Sequence, residues 1–327
     1  GRSVSFAGDV NGDGYSDVIV GAKGFSSSMG RAYIYFGGAT PENTADIAMT
    51  GESTNNFFGR SVSTAGDING DGYSDVIVGA DGNTSNKGRA YIFFGGENMN
   101  NTADVTLTGE VVGNEFGRSV SSAGDINGDG YSDVIVGANS YSSNTGRVYL
   151  YDYFMKNEIS TDLVLKGEVS GSSFGISVSS AGDVNGDGYS DVIIGANNYL
   201  SSTGRAYIFF GGISMDNIAD VTMTGEALSN QFGYSVSSAG DVNGDGYSDV
   251  IIGSDKYDNG DTDEGKFFAY YGTSSGLPAA PDYSAIEGNQ TNAKLGYSVS
   301  SAGDVNGDGY SDVLIGVPYF DLGQTDE

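Results

Sequence analysis

An internal repeat is the feature that most restricts what this chain can fold into. A nine-residue string, Asp-Val-Asn-Gly-Asp-Gly-Tyr-Ser-Asp with Val or Ile in second place, occurs six times in the 327 residues. The copies begin at Asp9, Asp67, Asp125, Asp183, Asp241 and Asp304. The first five starts are 58 residues apart and the last interval is 63 residues. Self-similarity at a fixed period is typical of solenoids, propellers and other arrays of supersecondary units.

Each repeat contains four short candidate strands, separated by the Gly, Asn, Asp and Ser clusters that form turns. In the first repeat they are predicted near residues 2–7, 17–22, 31–36 and 46–50. The second and third strands are apolar on both faces and must be covered on both sides. The first strand is rich in small residues, which suits a place where many copies converge. We expect an all-β fold, a β-propeller of four-stranded antiparallel blades, rather than a parallel β-helix, which would need much shorter rungs.

The repeat boundaries also predict the domain organisation. Residues 1–327 are expected to form a single β-propeller domain with five complete blades and half of a sixth. The predicted blades cover residues 1–57, 58–115, 116–173, 174–231 and 232–294, with a partial blade at 295–327. An intact ring would have six or seven blades. Because an open apolar strand edge is an aggregation hazard, we expect a larger chain, or strands supplied from elsewhere.

Composition excludes several functional classes. The chain has no Cys, His or Trp, which removes disulfide scaffolds, thiol nucleophiles, Cys/His zinc sites and His-dependent triads. Its formal charge is −29, so nucleic acids and anionic membrane surfaces would be repelled. No apolar run approaches the length of a membrane span, so direct membrane insertion is not expected.

The nonapeptide has the donor pattern of a calcium loop. Oxygen-bearing side chains occupy positions 1, 3, 5 and 9, and the Tyr at position 7 offers a backbone carbonyl. Gly12 and Gly14 allow the positive φ angles that fold these oxygens around one point. Such a hard oxygen cage fits Ca²⁺ better than Mg²⁺ or any soft metal. It is not an EF-hand, because Val20 stands where that motif needs a Glu. The alternative is a turn cluster that binds no metal.

We predict about one Ca²⁺ per repeat and up to six in all. The loops contain 18 Asp and no Lys or Arg, so their carboxylates repel one another unless a divalent cation is present. The predicted ligands, with each Tyr acting through its carbonyl, are Asp9, Asn11, Asp13, Tyr15, Asp17, Asp67, Asn69, Asp71, Tyr73, Asp75, Asp125, Asn127, Asp129, Tyr131, Asp133, Asp183, Asn185, Asp187, Tyr189, Asp191, Asp241, Asn243, Asp245, Tyr247, Asp249, Asp304, Asn306, Asp308, Tyr310 and Asp312.

These motifs resemble a known family. Phe58-Gly59 before the loop, the Asp-x-Asn-x-Asp-Gly-x-x-Asp loop itself and Gly-Ala after the next strand are similar to FG-GAP repeats. Such repeats form the propellers of integrin alpha chains and occur in many bacterial and archaeal surface proteins. The resemblance implies that the loop holds Ca²⁺ within a β-hairpin. Leu295 replaces Phe in the sixth copy, and only the last copy ends in Gly316-x-Pro318.

The end of each blade opposite the nonapeptide loop is the variable one. It carries the loops between the second and third strands and those leading to the next repeat, here called the variable loops. Aromatic residues recur in them, and we treat them as candidate ligand-binding residues that could stack on a sugar or a peptide: Phe25, Tyr141, Tyr199, Tyr257 and Tyr319. The alternative is that they fill the top of the central channel. The basic residues that open the third strand are expected to pair with carboxylates of the neighbouring blade: Arg31, Arg89, Arg147 and Arg205.

Three functions remain open from the sequence. The first is a non-enzymatic adhesion or ligand-binding module at the cell surface or outside the cell, whose partner is a protein or glycan bound to the variable loops. The second is a structural repeat of a surface layer, sheath or filament, which would involve self-assembly. The third is an accessory domain of a carbohydrate-active enzyme. An extracellular location is expected because weak oxygen-cage sites fill only where calcium is millimolar.

Overall fold

The structure is a computed structural model that describes residues 1–40, 42–154, 158–285 and 290–321. It divides into two compact units. Unit 1 comprises Gly1–Asp125 and Asp129–Lys166, and unit 2 comprises Ile126–Gly128 and Gly167–Glu327. The last part of the predicted sixth blade, 322–327, lies outside the described residues. The single domain and the number of blades in a ring stay predictions.

Unit 1 contains three four-stranded antiparallel sheets, in each of which the strand order follows the chain. The first sheet comprises β1 (Ser3–Gly8), β2 (Asp17–Ala22), β3 (Arg31–Tyr35) and β4 (Ile47–Thr50). The second comprises β5 (Val62–Gly66), β6 (Asp75–Ala80), β7 (Arg89–Phe93) and β8 (Val105–Thr108). The third comprises β9 (Ser119–Gly124), β10 (Asp133–Ala138), β11 (Arg147–Phe154) and β12 (Glu158–Lys166).

Unit 2 contains two further four-stranded sheets and a two-stranded one, all antiparallel. The fourth sheet comprises β13 (Ser177–Gly182), β14 (Asp191–Ala196), β15 (Arg205–Phe209) and β16 (Val221–Thr224). The fifth comprises β17 (Ser235–Gly240), β18 (Asp249–Ser254), β19 (Lys266–Tyr270) and β20 (Tyr283–Ala285). The sixth comprises β21 (Ser298–Gly303) and β22 (Asp312–Gly316). The predicted all-β, propeller-type arrangement of four-stranded antiparallel blades is confirmed.

The pattern of burial explains how the sheets pack. First strands of successive sheets contact one another within each unit, as their small residues predicted. The second strand β6 is buried along its whole length, whereas in β2 the side chain of Val18 is 41% exposed. Likewise Val62, on β5, is 7% exposed, while Val4, at the same position of β1, is 70% exposed. Val62 belongs to one core cluster with residues of the first sheet, which explains its burial.

Within each unit, an apolar residue that precedes a first strand anchors one sheet to the next, as Phe116 shows. Phe116 is fully buried, and its ring packs edge-on against Tyr149, with ring centroids 5.3 Å apart. Its backbone also bridges to Gly88, in the preceding repeat. Leu295 takes the same position in the sixth repeat, where it is buried and bridges to Gly265. An apolar side chain of similar size therefore preserves the junction.

The loops between second and third strands in the first four repeats form one-turn helical segments with unusual backbone angles. At their centres, non-glycine residues have left-handed conformations, such as Ser26 with φ 48° and Ser27 with φ 57°. Left-handed φ costs an L-residue roughly 1–2 kcal/mol, so these loops store local strain. The segments are α1 (Phe25–Ser28), α2 (Asn83–Asn86), α3 (Tyr141–Asn144) and α4 (Tyr199–Ser202).

Candidate functional site

The first nonapeptide loop joins β1 to β2, and its own backbone amides hold its acidic side chains. The carboxylate of Asp9 accepts hydrogen bonds from the amide of Gly12 at 2.8 Å, of Asp13 at 3.1 Å and of Gly14 at 2.9 Å. Gly12 and Gly14 have φ of 78° and 87°, as the sequence predicted. Positive φ at these two positions turns the amides inward, towards the carboxylate.

Positions 1, 3 and 5 converge within this loop. The amide of Asp13 donates to Asn11 Oδ1 at 3.0 Å as well as to Asp9 Oδ1, so oxygens from two predicted ligands meet at one nitrogen. Asn11 Nδ2 donates to Asp13 Oδ2 at 3.0 Å, and Asp13 Oδ1 accepts from the amide of Tyr15 at 2.9 Å. The side chains at positions 1, 3 and 5 are therefore adjacent and held in place by short-range hydrogen bonds.

Other copies of the loop have the same network. In the second, fourth, fifth and sixth copies the amide at position 4 donates to the carboxylate at position 1 over 2.6–2.7 Å. In the third copy, the amides of Asp129 and Gly130 donate to Asp125 at 3.1 and 3.0 Å. The repeated sequence therefore gives a repeated hydrogen-bond geometry.

The Asp at position 9 differs from the others because it is buried at the start of the second strand in the first five copies. Asp75 Oδ2 accepts from the amide of Ile68 at 3.0 Å, and its Oδ1 accepts from Gly95 at 2.8 Å. Burial raises the pKa of Asp75 to about 7 against the opposing effect of these amides, and the nearby carboxylates of Asp71 and Asp67 raise it further. Burial likewise raises the pKa of Asp191 to about 7. Burial and the neighbouring carboxylates thus disfavour the charged form of these two side chains.

The donor chemistry of these loops fits a calcium ion. Carboxylates, an amide oxygen and a backbone carbonyl are all hard oxygen ligands, and three of the positions are already adjacent. In residues 1–40, 42–154, 158–285 and 290–321, however, no three acidic side chains form a group close enough to hold a metal ion. The predicted calcium ligands and the number of ions stay predictions.

Neighbouring loops are linked within each unit. In unit 1, the amide of Ser74 donates to the carbonyl of Asp9 at 3.0 Å, and the ring of Tyr73 covers Gly12 so closely that a Cβ there would collide with it. In unit 2, the amide of Ser248 donates to the carbonyl of Asp183 at 2.9 Å. The nonapeptide loops are therefore connected structures rather than isolated turns, a link that the sequence analysis did not predict.

At the opposite end, the candidate ligand-binding aromatics lie against basic side chains. The guanidinium carbon of Arg147 lies 3.6 Å from the ring centroid of Tyr141, and that of Arg205 lies 3.9 Å from Tyr199. Similar contacts join Arg31 to Phe25 at 3.8 Å, Lys266 to Tyr257 at 4.6 Å and Lys294 to Tyr319 at 5.5 Å. Each aromatic thus has a cation of its own chain on its ring, and their role in ligand binding stays a prediction.

The expected ion pairs between repeats are present at three of the four predicted arginines. Arg89 pairs with Glu52 and Arg147 with Glu110, both at 2.7 Å, and Arg205 pairs with Glu168 at 2.9 Å. In each pair the carboxylate belongs to the preceding repeat. Arg31 instead donates from Nε to Thr50 Oγ1 at 3.0 Å. Arg89, Arg147 and Arg205 therefore link successive repeats and brace the variable loops.

Two features of the variable loops were not found from the sequence. One is a cavity of about 370 Å³ whose walls include the exposed Val111 and Val112 and the residues from Ser140 to Ser143. The other is a group of basic residues around the buried Asp81, contacted by Arg60 and Arg118. The sequence does contain a sign of this group, because the residue after Phe-Gly changes between repeats and is Arg at positions 60 and 118.

No helix in the described part of the chain is both long and apolar enough to cross a membrane. A model of the FG-GAP repeat matches the chain at residues 1–35, 58–93, 116–151, 174–209, 232–270 and 295–327.

Curated relatives include integrin alpha chains. Integrin alpha-4 of Xenopus laevis is 33% identical over 196 residues, which are 58% of this chain and 18% of that protein. Human integrin alpha-IIb is 30% identical over 195 residues, 57% of this chain and 18% of that protein. The chain thus spans less than a fifth of the length of these relatives. Among solved structures, Sqt1 from Chaetomium thermophilum matches 94% of this chain and 76% of its own, with a TM-score of 0.45 and 9% identity.

Proposed function

Because the chain belongs to the FG-GAP repeat family, we propose that it is a non-enzymatic, extracellular, calcium-binding β-propeller module that serves in adhesion or ligand binding. One observation carries this proposal: the two ends of the sheets differ. One end repeats the same hydrogen-bonded loop, whereas the other presents loops of changing sequence on a buried and ion-paired base. A uniform scaffold with a variable surface suits recognition of a partner.

The nonapeptide loops would hold the calcium ions. The ligands would be the side-chain oxygens at positions 1, 3, 5 and 9 and the Tyr carbonyl at position 7, as in Asp67, Asn69, Asp71, Asp75 and Tyr73. A bound Ca²⁺ would offset the clustered negative charge. The loop amides orient the carboxylates in advance. Backbone hydrogen bonds between neighbouring loops of one unit also link successive repeats.

A ligand-binding role fits the chemistry better than catalysis. With no His or Cys, acid–base work would fall to Asp, Glu or Tyr, and the conspicuous carboxylates recur identically in every repeat. The resemblance to integrin alpha chains favours a protein or glycan partner at the variable loops. The relatives are much longer than this chain, so their own partners are not transferred to it.

The test is a binding assay of the full chain on arrays of glycans and extracellular proteins. We expect saturable binding of at least one class in millimolar Ca²⁺, and loss of that binding in EDTA. As a control, Mg²⁺ at the same concentration should not replace Ca²⁺, because Mg²⁺ demands a smaller, near-ideal octahedron of ligands and gives up its water reluctantly. Absence of any saturable ligand, together with calcium-dependent filaments in electron micrographs, would instead support a structural repeat.

A further inference from the structure

Basic side chains are scarce in this chain, yet several of its 14 lysines and arginines gather in unit 1. Arg60 and Arg118 follow the Phe-Gly pairs of their repeats, at the starts of successive first strands that contact one another. Arg2 occupies the equivalent position of the first repeat, and Lys23 occupies the position that Asp81 has in the second. We call Arg2, Lys23, Arg60 and Arg118 the basic group.

The centre of the basic group is one buried carboxylate. Asp81 follows β6, and its side chain is only 5% exposed. Its Oδ2 lies 3.4 Å from Arg118 Nη1 and 3.8 Å from Arg60 Nε, so two guanidinium groups share a single oxygen. The other oxygen, Oδ1, is buried and has no hydrogen-bond partner among the described residues. A second carboxylate oxygen, Glu115 Oε2, lies 3.8 Å from Arg118 Nη1.

The charges of this group are not balanced. Three of the basic side chains, Lys23, Arg60 and Arg118, lie near two carboxylates, Asp81 and Glu115, so positive charge is in excess here in a chain whose net charge is −29. The pKa of Lys23 is lowered, first by burial and then by the positive charges of Arg60 and Arg2. The pKa of Arg60 is lowered by burial and by Arg118, in spite of Asp81. Repulsion among the cations thus exceeds what Asp81 supplies.

We propose that the basic group is a binding site for carboxylates of an acidic peptide segment in a protein partner. This proposal rests on the ligand-binding function proposed above and specifies its partner. Arg118, with a side chain 28% exposed, is partly open to solvent, and its guanidinium could pair with an incoming carboxylate in bidentate fashion. The carboxylate of a bound acidic side chain would add negative charge and so reduce the repulsion among Arg60, Arg118 and Lys23.

Two observations favour a peptide over a long polyanion. The positive region is small, and the strongly negative remainder of the chain would repel a nucleic acid or a sulfated polysaccharide extending beyond it. In addition, the cavity lined by Val111 and Val112 also includes Asn114, the residue next to Glu115. The apolar wall of this cavity lies close along the chain to the basic group, so an acidic segment with a neighbouring aliphatic residue could use both.

The experiment measures binding of a short capped Asp/Glu peptide to the full chain in millimolar Ca²⁺, by titration calorimetry. A matched peptide in which Asn and Gln replace Asp and Glu is the ligand control. We expect the acidic peptide to bind and the amide peptide not to bind. Arg118→Gln should weaken binding at least fivefold, because the charge-assisted hydrogen bonds to the ligand carboxylate are lost. Lys166→Gln, which removes an exposed cation on β12, should change binding less than twofold.

A variant of opposite sign makes the test sharper. Asp81→Asn removes the internal competitor for the cations and should strengthen binding of the acidic peptide about threefold, since attraction to the ligand is no longer shared. Asn139 occupies the same position in the third repeat and Ile176 the position of Arg118 in the fourth, so the repeat accommodates both kinds of change. Melting curves establish whether each variant is folded. If Asp81→Asn does not fold, the proposal is tested by Arg118→Gln and Lys23→Gln, each of which removes a cation and should weaken binding of the acidic peptide.

Several results would overturn the proposal. These are equal binding of both peptides, no effect of Arg118→Gln, or tighter binding of a single-stranded oligonucleotide or of inorganic phosphate alone. Sedimentation of the unliganded protein covers another occupant: self-association abolished by Arg118→Gln would mean that a second copy fills the site. If Ca²⁺ stabilises the protein and the arrays give a ligand, but the acidic peptide does not bind, this inference fails while the proposed function stands.

Discussion

The two ends of the same sheets are built on different principles. At the nonapeptide end, backbone amides hold the carboxylates, and the same bonds recur from Asp9 in the first repeat to Asp304 in the sixth. At the other end, ion pairs and stacked rings hold the variable loops, and the partners change along the chain. The comparison shows that the backbone geometry of the nonapeptide loops, where an ion would be bound, is the same in every repeat. At the opposite end the side chains and their partners differ between repeats.

The residue after the Gly that precedes each first strand shows this freedom most clearly. In unit 1 it is Arg2, Arg60 and Arg118, which make the basic group together with Lys23. In unit 2 it is Ile176, Tyr234 and Tyr297, and the rings of Tyr234 and Tyr297 lie with centroids 5.2 Å apart. One position of the repeat therefore gives a cationic surface in one unit and an apolar one in the other, without altering the strands.

The largest effect is expected at the buried junction between two sheets beneath the variable loops. Phe116→Ala should lower the free energy of unfolding by about 3–5 kcal/mol, because it opens a cavity between two sheets where Phe116 packs on Tyr149. Phe116→Leu, which reproduces the natural Leu295 of the sixth repeat, is the matched control and should cost less than about 1.5 kcal/mol. Urea denaturation measures both. Equal losses of stability in the two variants would show that Leu cannot take the place of Phe116 at this junction.

A smaller effect is expected at the nonapeptide end, where it should depend on calcium. Asp67→Asn weakens the acceptor of three loop amides and removes a predicted ligand, so in Ca²⁺ it should destabilise the protein by about 1–3 kcal/mol. In EDTA the loss should be smaller, because the substitution also relieves repulsion from Asp71. Glu97→Gln removes one exposed charge outside the loops and should respond equally in both buffers. An equal response of Asp67→Asn would contradict a calcium role for this residue.

At the variable end, the stability lost on substitution should not depend on calcium. Arg147→Gln breaks the 2.7 Å ion pair with Glu110 and the stacking on Tyr141, and should cost about 1–2 kcal/mol. We expect the same loss in Ca²⁺ and in EDTA, measured by thermal unfolding. Tyr141→Phe, which keeps the ring, is the control and should have little effect. A loss that appears only in Ca²⁺ would mean that the two ends are energetically coupled.

The smallest effect tests the strained turns. Ser27 has a φ of 57°, so Ser27→Gly should stabilise the protein by about 0.5–1 kcal/mol, as relief of strain exceeds the added chain entropy. Ser27→Ala keeps the Cβ and should be nearly neutral. Both are compared by melting temperature. Destabilisation by Gly would show that the left-handed turn is not strained.

The strands and the nonapeptide loops could be predicted from the sequence because six copies of the same pattern indicate the same structure. The first-repeat strands were predicted within about one residue, and the positive φ of Gly12 and Gly14 follows from the crowding of oxygens around them. Burial of β6 on both faces follows from its apolar pattern. These features are local, or periodic, and a sequence displays them directly.

The remaining features depend on neighbours in space. The left-handed turns at Ser26 and Ser27 were missed because turn rules place such angles on Gly or Asn. The contact of Tyr73 with Gly12 and the convergence of Arg60 and Arg118 on Asp81 join residues from different repeats. Only the packing of successive sheets brings these residues together, so periodicity alone could not show them.

The central claim is that calcium stabilises the nonapeptide end and with it the whole scaffold. Differential scanning calorimetry of the full chain, first in EDTA and then at rising Ca²⁺ with Mg²⁺ as the control, tests it directly. For sites with dissociation constants of about 10⁻⁴–10⁻³ M, mass action over the six loops predicts a saturable rise in melting temperature of about 10 °C in several millimolar Ca²⁺. A melting temperature that stays unchanged from EDTA to saturating Ca²⁺ would contradict the claim.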